Sequence, residues 1–135
     1  MAIHRPRVYC ASPSHRAKMW RTTGILPVEV NIISTWHNNL NFEADDQSPG
    51  ACKEYWELDF KQILQADILL AYAESKDRPN GTLIEIGYAI AHVTPVALVG
   101  NFDWGTWRHT SLVTHYPTLR EAAADILGVP VDDAS

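Results

Sequence analysis

Asn80-Gly81-Thr82-Leu83-Ile84-Glu85-Ile86-Gly87-Tyr88-Ala89 is the stretch from which the rest of the chain is read. Asn-Gly is turn chemistry, because both residues tolerate positive φ. The residues after it form a helix with small side chains on one side, Gly87, Ala89 and Ala91. Before it runs Ile68-Leu69-Leu70-Ala71-Tyr72-Ala73, an apolar stretch that reads as a buried strand, and a polar loop over 74–80 joins the two. This is a strand, a loop and a helix whose first turn carries one carboxylate, Glu85. In an open parallel sheet such loops leave the carboxyl ends of the strands, where ligands bind.

The same alternation extends in both directions. Residues 7–11 are a short β-favouring run closed by Ser12-Pro13-Ser14, which leads into a helix over 14–23. Ser12 or Ser14 suits its N-cap and Gly24 its C′ position. A second strand is expected over 28–36, then a long polar loop over 37–50, of the kind that serves as a lid or specificity loop or is mobile. Residues 51–66 read as a helix, with Trp56, Phe60, Ile63 and Leu64 as its buried stripe. Strands over 67–73, 94–100 and 112–116 follow, with a helix over 81–93, an aromatic-rich loop over 101–110 and a terminal helix over 118–127. Thr118 and Glu121 form a capping box for that last helix.

Strands alternating with helices predict an α/β fold: a three-layer, flavodoxin-like (Rossmann-like) sandwich. Its five-stranded parallel sheet has order 2-1-3-4-5 and helices on both faces. Residues 1–135 form one domain, with 129–135 as a loose tail. The switch point of that order lies between strands 1 and 3. It brings the turn after Tyr9 towards the loop before Glu85.

Composition narrows the function. The chain has 46% hydrophobic and 20% charged residues, a globular balance with no case for disorder. A net charge of −5 argues against a nucleic-acid surface, which needs clustered Lys and Arg. Two cysteines make no disulfide framework, and Cys10, inside a strand, reads as a buried thiol. No apolar run approaches the ~20 residues of a membrane span, and no signal-peptide core is present. A cytoplasmic protein is expected. The histidines show no metal-ligand spacing, and neither a phosphate-loop lysine motif nor GxGxxG is present, so no metal or cofactor is expected.

Two carboxylates carry the chemical interest. Asp59 falls on or beside the buried stripe of its helix, costly unless it is paired or employed; the alternative is a place at the solvent margin. Glu85 in a helical first turn is favoured as the anion by ~0.3–1 kcal/mol, the state a nucleophile requires. Position alone also allows it to be a surface charge. Two carboxylates with separated tasks are the general arrangement for cleaving glycosidic bonds.

Taken together, Asp59-Phe60, Ala66-Asp67-Ile68-Leu69-Leu70-Ala71, Asn80-Gly81-Thr82 with Glu85-Ile86-Gly87-Tyr88-Ala89, and Pro95-Val96 resemble the nucleoside 2-deoxyribosyltransferase family. Val8-Tyr9 before Ser12-Pro13 is similar to that family's opening strand. The family cleaves the N-glycosidic bond of 2′-deoxynucleosides, passing deoxyribose to another base or, in a branch acting on nucleoside 5′-monophosphates, to water. The resemblance implies Glu85 as nucleophile, Tyr9 orienting that carboxylate or the sugar, and Asp59 handling a proton. It implies a substrate wall of Ser12, Ser14, Arg16, Asp77, Asn80, Gly81 and Thr82. It also implies a homo-oligomer whose sites are completed by a neighbouring subunit, with Trp107 and His109 as candidates. One departure stands out: Pro79 occupies the position where transferases of the family often carry an acid. A non-catalytic nucleotide-binding or sensing module on the same fold is the alternative.

Overall fold

Residues whose side chains are apolar on both faces of a strand can be satisfied only between two layers of helix. Val8-Tyr9-Cys10-Ala11 and Leu69-Leu70-Ala71 are such runs, fully buried along their length. The computed structural model describes residues 5–38 and 47–131. In it strands β1 (Arg7–Ala11), β2 (Asn31–Ile32), β3 (Ile68–Tyr72), β4 (Val96–Val99) and β5 (Val113–Tyr116) form one sheet in the order β2-β1-β3-β4-β5. Every neighbouring pair is parallel, with Tyr9 beside Leu69 and Leu70 beside Ala97. This is the flavodoxin-like order expected from the alternation of strands and helices.

Side chains leave the sheet alternately on opposite faces. Tyr9, Ala11, Leu69, Ala71 and Leu98 pack under helices α2 (Pro49–Gln65) and α3 (Asn80–Ala91), through Ile63, Ile86 and Ala89. Val8, Cys10, Leu70, Ala97 and Val99 pack against α1 (Ala17–Arg21) and α4 (Leu119–Leu127), through Trp20, Ala122 and Ala123. Each fully buried leucine here contributes ~2 kcal/mol by removal from water. Gly100 turns the chain out of β4 at φ +104°, and a Cβ there would lie 2.1 Å from the Ala73 carbonyl oxygen. Only glycine fits.

Four element boundaries differ from expectation. The second strand shrinks to Asn31–Ile32, because it is an edge with a single partner. Val28 is 82% exposed, Val30 N–H closes a turn onto Pro27, and Trp36 turns back to donate to the Cys10 carbonyl at 2.7 Å. The first helix opens as a 3-10 turn over Ser14–Arg16 and is α-helical only over Ala17–Arg21, without a side-chain cap. Ser12 is instead the acceptor for Trp20 Nε1 at 2.8 Å.

The helix expected from residue 51 begins at Pro49, capped by Ser48. Its Leu64 is 52% exposed, whereas Gln62 is buried because its amide pairs with Thr35 N–H and Oγ1. Helix α3 starts at Asn80, which moves Glu85 into its second turn. Ala89 is buried, but Gly87 and Ala91 face outward. Thr118 caps α4, its Oγ1 accepting from Glu121 N–H at 3.1 Å, which is one half of the expected capping box. Residues 39–46 of the expected long loop and 132–135 of the expected tail lie outside the described residues.

Candidate active site

Three elements converge beneath the carboxyl ends of β1 and β3. Alternation along β1 sends Tyr9 to the face covered by α2 and α3. On α3, Thr82, Glu85, Ile86 and Ala89 are buried, the i, i+3, i+4, i+7 stripe of a helix lying on a sheet. Glu85 therefore points inward because of its register with Ile86 and Ala89. Asp59 follows Trp56 by three residues and precedes Ile63 by four, so it shares the inner face of α2 and is half-buried.

The Tyr9 hydroxyl donates to Glu85 Oε2, both groups being buried. Burial, with the charges of Glu85 and Asp59, holds the phenol far above its ordinary range, so Tyr9 is a fixed donor. Glu85 is only 7% exposed. Burial pushes its carboxyl up to about 8, a rise that Asp59's charge reinforces and the Tyr9 hydrogen bond opposes. Asp59 is pushed up to about 7 by burial, again opposed by Tyr9. This corrects the expectation of an ionised Glu85 at a helix terminus. The dipole effect is confined to the first turn, and desolvation at a buried second-turn position outweighs it. Two neighbouring carboxyls of raised pKa titrate as a pair. Near neutrality they hold about one proton between them.

Above this pair opens a cleft of about 420 Å³, within the range of small-molecule sites. The turn after β1 supplies Ser12, Pro13, Ser14 and His15; the loop and first turn of α3 supply Arg78, Pro79, Asn80, Gly81 and Thr82, with Asp59 and Glu85 between. Helix α3 begins without a side-chain cap, and the buried Thr82 Oγ1 has no hydrogen-bond partner among the described residues. Hydrogen-bonding capacity is thus left on this wall. Aromatic residues complete it: Trp56, expected in the buried stripe of its helix, lines the cleft together with Trp36 and Tyr55. A Cβ on Gly81 would meet the Trp56 ring at 3.3 Å. Glycine here admits the indole. The available signal for Trp56 was its place one turn before a carboxylate on the same inner face.

The remaining expected site residues fall elsewhere. Arg16 and Asp77 do not line the cleft. They bond each other, Nε to Oδ2 at 2.7 Å and the terminal guanidinium nitrogen to Oδ1 at 3.1 Å. Trp107 packs edge-on against the buried Trp104 on the loop between β4 and β5, and His109 is exposed at the end of the same loop. Neither lines this chain's own cleft.

No protein-family model and no curated protein sequence matches the chain. Solved structures do share its fold. A 2-deoxyribosyltransferase from the psychrotolerant bacterium Bacillus psychrosaccharolyticus superposes with a TM-score of 0.66 at 20% identity, over 87% of this chain and 90% of that one. A CMP N-glycosidase of Clostridium botulinum gives 0.55 at 21% identity, over 89% and 96%. A conserved protein of Enterococcus faecalis V583 gives 0.54 at 17% identity, over 93% and 87%. At these identities the likeness is one of fold.

Proposed function

We propose that this chain cleaves the N-glycosidic bond of a 2′-deoxynucleoside or its 5′-monophosphate and passes the deoxyribosyl group to another base. The observation that carries the reading is the buried Tyr9–Glu85 hydrogen bond with Asp59 beside it at the floor of the cleft. That two proteins of the same fold are a deoxyribosyltransferase and a CMP N-glycosidase supports the substrate class.

In the singly protonated pair the proton rests on Glu85, whose value is the higher. It passes to Asp59 as substrate enters, and the ionised Glu85 oxygen then attacks the anomeric carbon. The carbon–nitrogen bond breaks and its electron pair leaves with the base, which takes the proton held by Asp59. The product is a glycosyl ester on Glu85. An acceptor base nitrogen then attacks the same carbon, displacing the Glu85 carboxylate and returning its proton to Asp59. Water in place of the base would give hydrolysis. Tyr9 donates to Glu85 in the resting site and favours its anion. Ser12, Ser14, Asn80, Gly81 and Thr82 form the polar wall that holds the sugar side of the substrate, and the Trp36 and Trp56 rings give a planar base an apolar surface.

The singly protonated pair serves both roles at once, one anion and one acid. Its population peaks between about 7 and about 8. A second copy is proposed to close the cleft through Trp107 and His109.

Deoxynucleosides and deoxynucleotides, each incubated with and without an acceptor base, test the reading. A new nucleoside means transfer, and free base alone means hydrolysis. An acid-quenched mass increase of one deoxyribosyl group, mapped to Glu85, is the expected intermediate. Ligand binding with no turnover, unaltered by Glu85→Ala, would leave only a binding module.

A further inference from the structure

Arg16 and Asp77 belong to the two segments whose neighbouring residues form opposite walls of the cleft, Arg16 to the turn after β1 and Asp77 to the loop after β3, 61 residues apart. Their contact is bidentate, the strong form of an ion pair. The Asp77 side chain is only 8% exposed and that of Arg16 25%. The carboxylate has further partners: its Oδ2 accepts Glu74 N–H at 2.8 Å, and His15 Nε2 approaches Oδ1 at 3.3 Å. The guanidinium carbon stands 5.2 Å from the centre of the Tyr72 ring, at the end of β3, and Tyr72 donates its hydroxyl to Glu74. These bonds join the turn after β1 to the loop after β3 or close that loop on itself. The residues flanking it in sequence are those that line the cleft: Ser14 and His15 before Arg16, Arg78 to Thr82 after Asp77.

We propose that Arg16 and Asp77 are a positioning pair that locks the two cleft rims together and thereby fixes the start of α3, and with it Glu85, against Tyr9 and Asp59. This rests on the function proposed above and deepens it. Neither residue contacts substrate. A displacement of about 1 Å in a reacting group costs up to ~100-fold in rate, so loosening the pair is felt in catalysis before it is felt in binding.

The test is a set of four variants, Asp77→Asn, Arg16→Met, the two combined, and the conservative Arg16→Lys, assayed with a deoxynucleoside and with its 5′-monophosphate. Asp77→Asn and Arg16→Met should each lower kcat by about 10- to 100-fold, by the same factor for both substrates, with KM changed less than threefold. The combined variant should be no worse than either alone, because both remove one interaction. Arg16→Lys should recover part of the rate. Amide hydrogen exchange over residues 74–80 should quicken about 10-fold or more in the two single neutral variants. That arm stands whether or not the chain cleaves nucleosides: wild-type inactivity on every nucleoside would remove the proposed function and leave the lock to be judged on exchange. A loss confined to the monophosphate in Arg16→Met would make Arg16 a phosphate ligand and overturn the proposal. A changed base preference in Asp77→Asn would make Asp77 a base ligand, with the same result, and so would unchanged exchange in both single variants.

Discussion

Replacing Glu85 by glutamine separates the burden of a buried carboxyl from its use. The folded protein holds this group at about 8, against an ordinary 4.5. A raised carboxyl is the reverse of the common case. Between those values the native state binds the proton more tightly than the unfolded chain, so stability falls as pH rises through that window and is level above it. At ~1.4 kcal/mol per pH unit the full interval corresponds to about 4–5 kcal/mol, an upper bound that relaxation and water entry reduce. Glutamine keeps the shape and still accepts from Tyr9, but never ionises. Urea unfolding at pH 5.0 should find the two proteins within about 1 kcal/mol of each other. At pH 8.5 Glu85→Gln should be more stable by at least ~2 kcal/mol, roughly 6–10 °C in Tm for a chain of this size. In parallel, N-glycosidic cleavage should fall at least ~1000-fold, because an amide is no nucleophile. A stability difference that does not widen between the two pH values would refute the burial argument. Full activity in the variant would refute the nucleophile.

Other perturbations test separate parts of the structure. Tyr9→Phe removes the donor that favours the Glu85 anion. The acid limb of the kcat/KM profile should move to higher pH and kcat should drop about 10- to 100-fold, both read from one pH series. Gly100→Ala puts a methyl 2.1 Å from the Ala73 carbonyl oxygen at φ +104°. It should cost ~3 kcal/mol or more, seen as a Tm lowered by about 10 °C. Val93 is 73% exposed and ends α3 at φ +62°, poorly suited to a β-branched side chain. Val93→Gly should therefore stabilise by ~1 kcal/mol in urea unfolding. Gly81→Ala pushes on the Trp56 ring at 3.3 Å; it should raise KM several-fold while Tm stays within about 3 °C.

Much of this molecule is written in local pattern. The apolar runs at 8–11, 68–73 and 96–99 specify strands buried on both faces, and their alternation with helices specifies a parallel sheet. The Ser-Pro and Asn-Gly stops place Tyr9 and Glu85 near one switch point, and the stripe at 56, 60 and 63 carries Asp59 with it. The identity of the three floor residues was legible for that reason. Their protonation was not. It follows from how completely β1, α2 and α3 exclude water around Glu85, a property of three elements distant in sequence. Arg16 and Asp77 were expected as ligands on the strength of the family resemblance. Only the tertiary structure sets them 2.7 Å apart and satisfies each with the other. Trp56 looked like core because helical spacing reports which face is inward, but not whether that face meets protein or a cleft. Sequence by itself determined the architecture, which follows from local periodicity and turn chemistry, while the chemical roles proposed for Tyr9, Asp59 and Glu85 came from the family resemblance. Solvation and pairing were decided by the fold, since both depend on which distant surfaces meet.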